Sequence, residues 1–253
     1  MIKRRHFTRL LLATPFAAAA CSVRTAERPV ADRGGFSYLP GIATREPLVA
    51  PPGRAIKVAF AINPGVQVID LAGPWETFQD TLASPDAAAS AFELFTVSET
   101  PRPFRASGGL MVVPDFTIHE APVPDIVVVP HFDQPDPRTH EASAIHQWIR
   151  ETHDHAALTM SICTGAFQLA KTGLLDSIPM TTNQKAYNSF TKAFPAIDLR
   201  RGPRFVEFGR IATAGGLSAG IDLALRVVAR YFGAGVAQAT ADTMEYAGTG
   251  WRT

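Results

Sequence analysis

The stretch LTMSICTGAFQLAK, residues 158–171, decides how the chain is read. Leu158 to Ile162 is a short apolar run of strand type. Thr164 to Ala170 has no breaker after Gly165 and reads as a helix. Cys163 therefore stands on a sharp strand-to-helix turn. A nucleophile on such a turn is held exposed above the sheet in a strained backbone. It also sits at a helix N-terminus, where unpaired N–H groups and the helix dipole favour thiolate over thiol. The Thr164 N–H is placed to face an oxyanion, and Gly165 lets backbone approach closely. The competing reading is a small buried hydrophobe, the usual state of a free cysteine.

Working outward, strands and helices alternate. Ala55 to Ile62 reads as a strand ended by Asn63-Pro64-Gly65, and a short helix follows that Gly73-Pro74 starts or breaks. Phe92 to Val97 is a second strand. Ile126-Val127-Val128-Val129 is a continuous β-branched run, typical of a parallel strand covered on both faces. Thr139 is placed to cap a helix with Ala142, Ile145, Trp148 and Ile149 on one face. Thr181-Thr182 closes a short strand, Gln184 to Ala193 is helical, and Arg210 to Ala214 is a strand. Ser218 caps a helix carrying Ile221, Leu225, Val228 and Phe232 on one face, and a last helix covers about 234–246. This alternation predicts an α/β fold with a mainly parallel sheet. Ligands of such sheets bind off the carboxyl ends of the strands. Pro130-His131, Cys163-Thr164-Gly165 and Gly215-Gly216 lie there.

The 253 residues make up 27.2 kDa, with 46% apolar and 19% charged residues. That excludes a disordered chain. Formal charge is +1, and Lys3, Arg4, Arg5 and Arg9 all fall in the first twenty residues, so the remainder is mildly acidic. A nucleic-acid groove needs clustered cations and is not expected. No apolar run of about 20 residues is present, so no mature bilayer span is expected.

Residues 1–20 have a basic start, a mildly apolar run from Leu10 to Ala20, and small residues, the anatomy of an export signal. Arg4-Arg5 with Phe7 resembles a twin-arginine signal; an ordinary secretory signal is the alternative. Ala18-Ala19-Ala20-Cys21 resembles a lipobox, although Ala18 replaces the usual Leu. Cys21 would then be lipidated and anchor a periplasmic protein to the membrane; plain cleavage near the alanines is the alternative. Residues 22–54 hold five Pro and four Gly without helical or strand period, which reads as a tether over 21–54 and a domain over 55–253. With Cys21 lipidated or removed, Cys163 has no disulfide partner.

PGVQVIDLAGPWETF (64–78), DIVVVP (125–130), SICTGAFQLAKTGLLDS (161–177), MTTN (180–183) and IATAGGLSAGIDLALRVVARYFGAGVAQ (211–238) together resemble the ThiJ/PfpI superfamily. The resemblance covers about residues 55–246. It implies a flavodoxin-like, class I glutamine-amidotransferase-like three-layer sandwich with a nucleophile-elbow cysteine. It is nearest the isonitrile-hydratase-like branch, which also serves as the ligand domain of some AraC-type regulators. Members commonly dimerise, so a homodimer is expected.

By this resemblance Cys163 is the elbow cysteine. Asp70 is the acid at the start of the first helix whose carboxyl lies against the sulfur, and Thr164 is the threonine after the cysteine. Without the resemblance Asp70 reads equally as a helix N-cap. A carboxyl and thiol in contact titrate as a unit and can move a proton during attack on a polarised carbon. Three departures stand out. Thr181-Thr182-Asn183 replaces a Thr-Thr-His segment, His131-Phe132 replaces a Gly-Gly pair, and Thr164 replaces the histidine of protease-like and glyoxalase-like branches. His131 is a candidate substitute base or pocket donor, or else a loop histidine without a role. Gly165, Asn183 and Gly216 complete the expected substrate-binding set.

His153 and His155 point apart on a helix, so no metal site is expected. No phosphate loop or G-x-G-x-x-G is present, so no cofactor is implied. Three functions follow as alternatives. One is an exported cysteine-dependent enzyme adding water to a small electrophilic carbon. The second is a non-catalytic periplasmic small-molecule binder or thiol sensor. The third is a structural protein with Cys163 kept for packing. Loops 98–125 and 131–140 are expected to wall a small, fairly apolar pocket.

Overall fold

The computed structural model describes residues 39–84, 86–133 and 142–252. The expected export signal, Cys21, Thr139 and most of the 131–140 loop lie outside the described residues.

Eleven strands and six helices follow one another among the described residues. In chain order they are β1 (Ile56–Ala61), α1 (Val68–Gln79), β2 (Phe92–Ser98), β3 (Phe104–Arg105), β4 (Met111–Val112), β5 (Phe116–Thr117), β6 (Ile126–Val129), α2 (Ala144–His153), β7 (Leu158–Ser161), α3 (Gly165–Lys171), β8 (Pro179–Met180), α4 (Tyr187–Ala193), β9 (Asp198–Leu199), β10 (Phe205–Phe208), β11 (Ile211–Ala214), α5 (Ala219–Phe232) and α6 (Ala234–Thr243). Seven strands form one sheet in the order β10-β11-β7-β6-β1-β2-β5. All its pairings are parallel except β10 with β11. The fold is the α/β fold with a mainly parallel sheet that the alternation implied, in the flavodoxin-like form that the resemblance implied.

Period-two alternation along β1 assigns the layers. Phe60 stacks on Trp75 of α1 with ring centroids 5.1 Å apart, while its neighbour Ala59 packs with Trp148 of α2. The four residues of β6 are wholly buried, as expected of a strand covered on both faces.

Several local expectations need correction. Pro74 lies inside α1 and does not break it. Gly73 and Pro74 face Ile221 and Gly220 of α5, and this packing outweighs the lost backbone bond. Ser218 stands at the N-cap position of α5 as expected, but its side chain makes no capping bond; its hydroxyl accepts from Arg204. The cap of α2 is Ser143, whose backbone N–H donates to His146 Nδ1 at 2.8 Å. The strand before Thr181-Thr182 ends at Met180.

The folded region also begins before Ala55. Leu39 and Ile42 form parallel bridges to Pro203 and Val206, and Leu48 and Ala50 pack on the core. The segment makes its contacts one residue at a time with a distant strand, so no period marks it in the sequence. Among the described residues no helix is long and apolar enough to cross a membrane.

Candidate active site

The site is built where β1, β6, β7 and β11 end. β7 runs into Ile162 and then Cys163, whose φ is +56°. A non-glycine residue is rarely held there, and the conformation persists only when its surroundings impose it. Three neighbours do so. The Cys163 N–H donates to the Gly215 carbonyl at 2.9 Å, and the Cys163 carbonyl accepts from Thr182 Oγ1 at 2.8 Å. Behind the cysteine, the Gly165 N–H donates to the Ile162 carbonyl at 2.8 Å. A Cβ on Gly165 would lie 2.1 Å from the Val129 carbonyl oxygen, so only glycine lets α3 start this close to β6.

Asp70 sits in the first turn of α1 and is fully buried. One carboxyl oxygen, Oδ2, accepts the His131 backbone N–H at 3.3 Å; the other, Oδ1, has no partner. Burial pushes its pKa up to about 7, against the opposing pull of the His131 N–H and a hydrogen bond with the Cys163 side chain. The acid expected against the sulfur is therefore there, and it titrates near neutral pH.

Asn183 reaches the other side of the sulfur. Its Nδ2 donates to Cys163 Sγ at 3.3 Å. Its Oδ1 accepts the Lys185 N–H at 2.9 Å, which fixes which end of the amide faces the sulfur. Gly216 makes room: a Cβ there would stand 2.7 Å from that Nδ2. Thr164 Oγ1 lies 4.0 Å from Sγ. Asn183, Thr164 and Asp70 thus converge on Cys163, a residue 5% exposed, with Gly216 making room for Asn183.

His131 enters the site by its main chain. Its N–H holds Asp70, and its carbonyl accepts the Gln67 N–H at 2.9 Å, locking the start of α1 to the end of β6. The imidazole turns toward Asp133, with Nε2 3.8 Å from Oδ1, and burial lowers its pKa. Phe132 is held by a buried chain that sequence reasoning missed. His146 Nε2 lies 2.9 Å from Gln168 Oε1, and Gln168 Nε2 donates to the Phe132 carbonyl at 2.9 Å. Thr182 was also missed as a partner of the elbow, although it stands in the Thr-Thr-Asn segment already singled out. Among the described residues no cluster of three His, Cys, Asp or Glu is arranged to hold a metal.

Residues 56–230 match the DJ-1/PfpI family. The chain is 32% identical over 194 residues to an isonitrile hydratase of Pseudomonas putida, covering 76% of this chain and 79% of that one. It is 24% identical to the HTH-type transcriptional regulator GbdR of Pseudomonas aeruginosa, covering 81% of this chain but 55% of the regulator. A ThiJ/PfpI family protein from Pseudomonas syringae superposes with a TM-score of 0.64 at 22% identity, covering 78% of this chain and 77% of that one, a likeness of fold alone. The family match spans most of the folded region and includes both Asp70 and Cys163, and on that ground the chain belongs to the DJ-1/PfpI family.

Proposed function

We propose that the chain is an exported cysteine-dependent enzyme that adds water to a small electrophilic carbon, with isonitriles as the substrate class. The observation that carries this reading is Cys163 Sγ set between a buried, proton-holding Asp70 and the amide donor of Asn183. The likeness to an isonitrile hydratase supports it.

In this reading the Cys163 sulfur bonds to the terminal carbon of R–N≡C. The thiol proton, passed through Asp70, goes to that same carbon and leaves a thioimidate, R–N=CH–S. Water then adds to the thioimidate carbon. One water proton goes to nitrogen, the C–S bond breaks, and the sulfur regains the other proton through Asp70. The products are an N-substituted formamide and free thiol, with no oxidant or reductant consumed. Asn183 cannot accept a proton, so it steadies charge on sulfur while Asp70 alone carries protons. Incubating purified protein with small isonitriles and following formamide by NMR tests this. No turnover, or equal turnover by Cys163→Ala, rejects it.

The same observation at Asn183 favours a second reading. A sulfur flanked by a non-titrating donor suits a binder or thiol sensor, and the likeness to transcriptional regulators is compatible with it. Sulfenic or sulfinic Cys163 after mild peroxide, without turnover, selects this reading.

Three further expectations belong to the proposal. Residues 1–20 direct export to the periplasm, Cys21 carries a lipid, and the folded domain forms a homodimer. No cofactor and no nucleic acid take part. Cell fractionation, mass spectrometry of the mature N-terminus and light scattering test the first three in turn.

A further inference from the structure

The segment 39–48 has more contacts than a tether needs. Leu39 donates its N–H to the Gly202 carbonyl at 3.1 Å and accepts from the Arg204 N–H at 3.1 Å. Ile42 donates to the Phe205 carbonyl at 2.9 Å and accepts from the Glu207 N–H at 2.8 Å. These bonds extend the sheet by a short parallel strand beyond β10, which is otherwise an edge. Beyond Ile42 the segment is fastened by charge. Thr44 donates its N–H to Glu207 Oε2 at 3.1 Å, and its carbonyl accepts from Arg226. The Glu46 carbonyl accepts from Arg230 Nε at 2.9 Å. Glu207 is in turn paired with Arg226 at 3.2 Å and Arg230 at 2.9 Å.

From this segment three backbone bonds lead to the nucleophile. The Arg204 N–H donates to the Leu39 carbonyl at 3.1 Å, the Gly215 N–H donates to the Arg204 carbonyl at 2.9 Å, and the Cys163 N–H donates to the Gly215 carbonyl at 2.9 Å. Arg204 is the hub of this chain. Its side chain pairs with Asp222 near the start of α5 and donates to Ser218, so the Gly215–Ser218 turn is gripped from both ends. The bonds run in series through the Cα atoms of Arg204 and Gly215, so the coupling is mechanical: fixing the Leu39 carbonyl restrains the backbone that holds the Cys163 N–H. Cys163 needs that constraint, because a φ of +56° is not held by its own preference.

We propose that residues 39–48 are a positioning strap for Cys163: clamped to the sheet edge by Glu207, they hold the elbow in register through Leu39, Arg204 and Gly215. The proposal rests on the reading of Cys163 as the reactive group. It places part of the site's rigidity in a segment upstream of the family match, which begins at residue 56.

The test compares Ile42→Pro with Ile42→Ala in the full chain. Ile42 is 43% exposed, so neither change opens the core. Proline removes the N–H that pairs with Phe205, whereas alanine keeps it. Two quantities are measured well below the melting temperature: amide exchange at Glu207, Gly215 and Cys163, and the pH profile of Cys163 alkylation. The expected result is that Ile42→Pro speeds Cys163 and Gly215 exchange at least about tenfold and changes the Cys163 alkylation profile, while Ile42→Ala matches the wild type. Fast exchange at Glu207 with unchanged Cys163 exchange and alkylation overturns the proposal. If Ile42→Pro does not fold, Gly41→Ala carries the same readouts, since a Cβ there would stand 2.4 Å from the buried Phe205 ring. The two readings fail separately. A wild-type thiol that is not activated rejects the enzyme, and Cys163 exchange indifferent to a freed strap rejects the strap.

Discussion

Asp70 and Glu207 are both buried carboxyl groups of one α/β domain, at 0% and 4% exposure, and they are handled in opposite ways. Glu207 sits at the sheet edge with both oxygens engaged: Oε1 by Arg230, and Oε2 by Arg226 and the Thr44 N–H. Asp70 sits beside Cys163, with Oδ1 lacking a hydrogen-bond partner among the described residues, Oδ2 on a 3.3 Å bond from the His131 N–H, and its carboxyl also bonded to the Cys163 side chain. Burying a charge is unfavourable unless it is paired. At Glu207 two guanidinium groups supply the pairing, and the result is a structural clamp. At Asp70 burial instead raises the pKa to about 7, and the result is a proton held beside a sulfur. One residue class thus gives stability where it is paired and a raised pKa where it is not.

The largest expected effect removes the group that Asp70 serves: Cys163→Ala abolishes alkylation and any isonitrile turnover while leaving the circular dichroism spectrum intact. Breaking the clamp comes next. Glu207→Ala takes the buried carboxylate away from Arg226 and Arg230, leaving them their backbone acceptors, and lowers unfolding free energy by about 3–5 kcal/mol in urea titrations. Asp70→Asn sharpens the contrast by changing sign. A folded-state pKa above the unfolded value makes the wild type lose stability as pH rises from about 4 to 7. The variant lacks this loss, so it is more stable than the wild type at pH 8 by about 1–3 kcal/mol, with the advantage shrinking toward pH 4. A variant no more stable at pH 8 would show that Asp70 is satisfied as an anion. The smallest effect is at Asn183→Ala. Losing one hydrogen bond to sulfur slows alkylation at neutral pH roughly tenfold, with little change in melting temperature.

How far the site could be read from the sequence depended on distance along the chain. The elbow was visible because Ser161, Ile162, Cys163 and Gly165 are neighbours, and a strand signal running into a helix signal leaves one residue on the turn. Asp70 was visible through its motif rather than its surroundings. Asn183 was flagged as a departure, but its grip on the sulfur depends on Lys185 orienting the amide and on Gly216 making room. His131 was read either as a side chain serving the site or as a loop histidine without a role, whereas it is its N–H and carbonyl that join β6 to α1. Backbone bonds of this kind carry no residue-type signature, so composition cannot announce them.

Strands β3, β4, β5, β9 and β10 went unread, but the sequence by itself determined the order of the six helices and of strands β1, β2, β6, β7 and β11, the family, the cysteine on its turn and the acid in the first helical turn. Each of these is written in local periodicity or in a contiguous motif. Only the tertiary structure decided that Asp70 keeps one oxygen without a partner, that Asn183 faces the sulfur, and that the segment before Ala55 is bound to the sheet edge. Those outcomes rest on contacts between residues far apart in the chain, Thr44 with Glu207 being 163 positions apart. Whether a buried carboxyl becomes a clamp or a proton store is set by what packing brings to its oxygens, and no window of sequence around it contains that information.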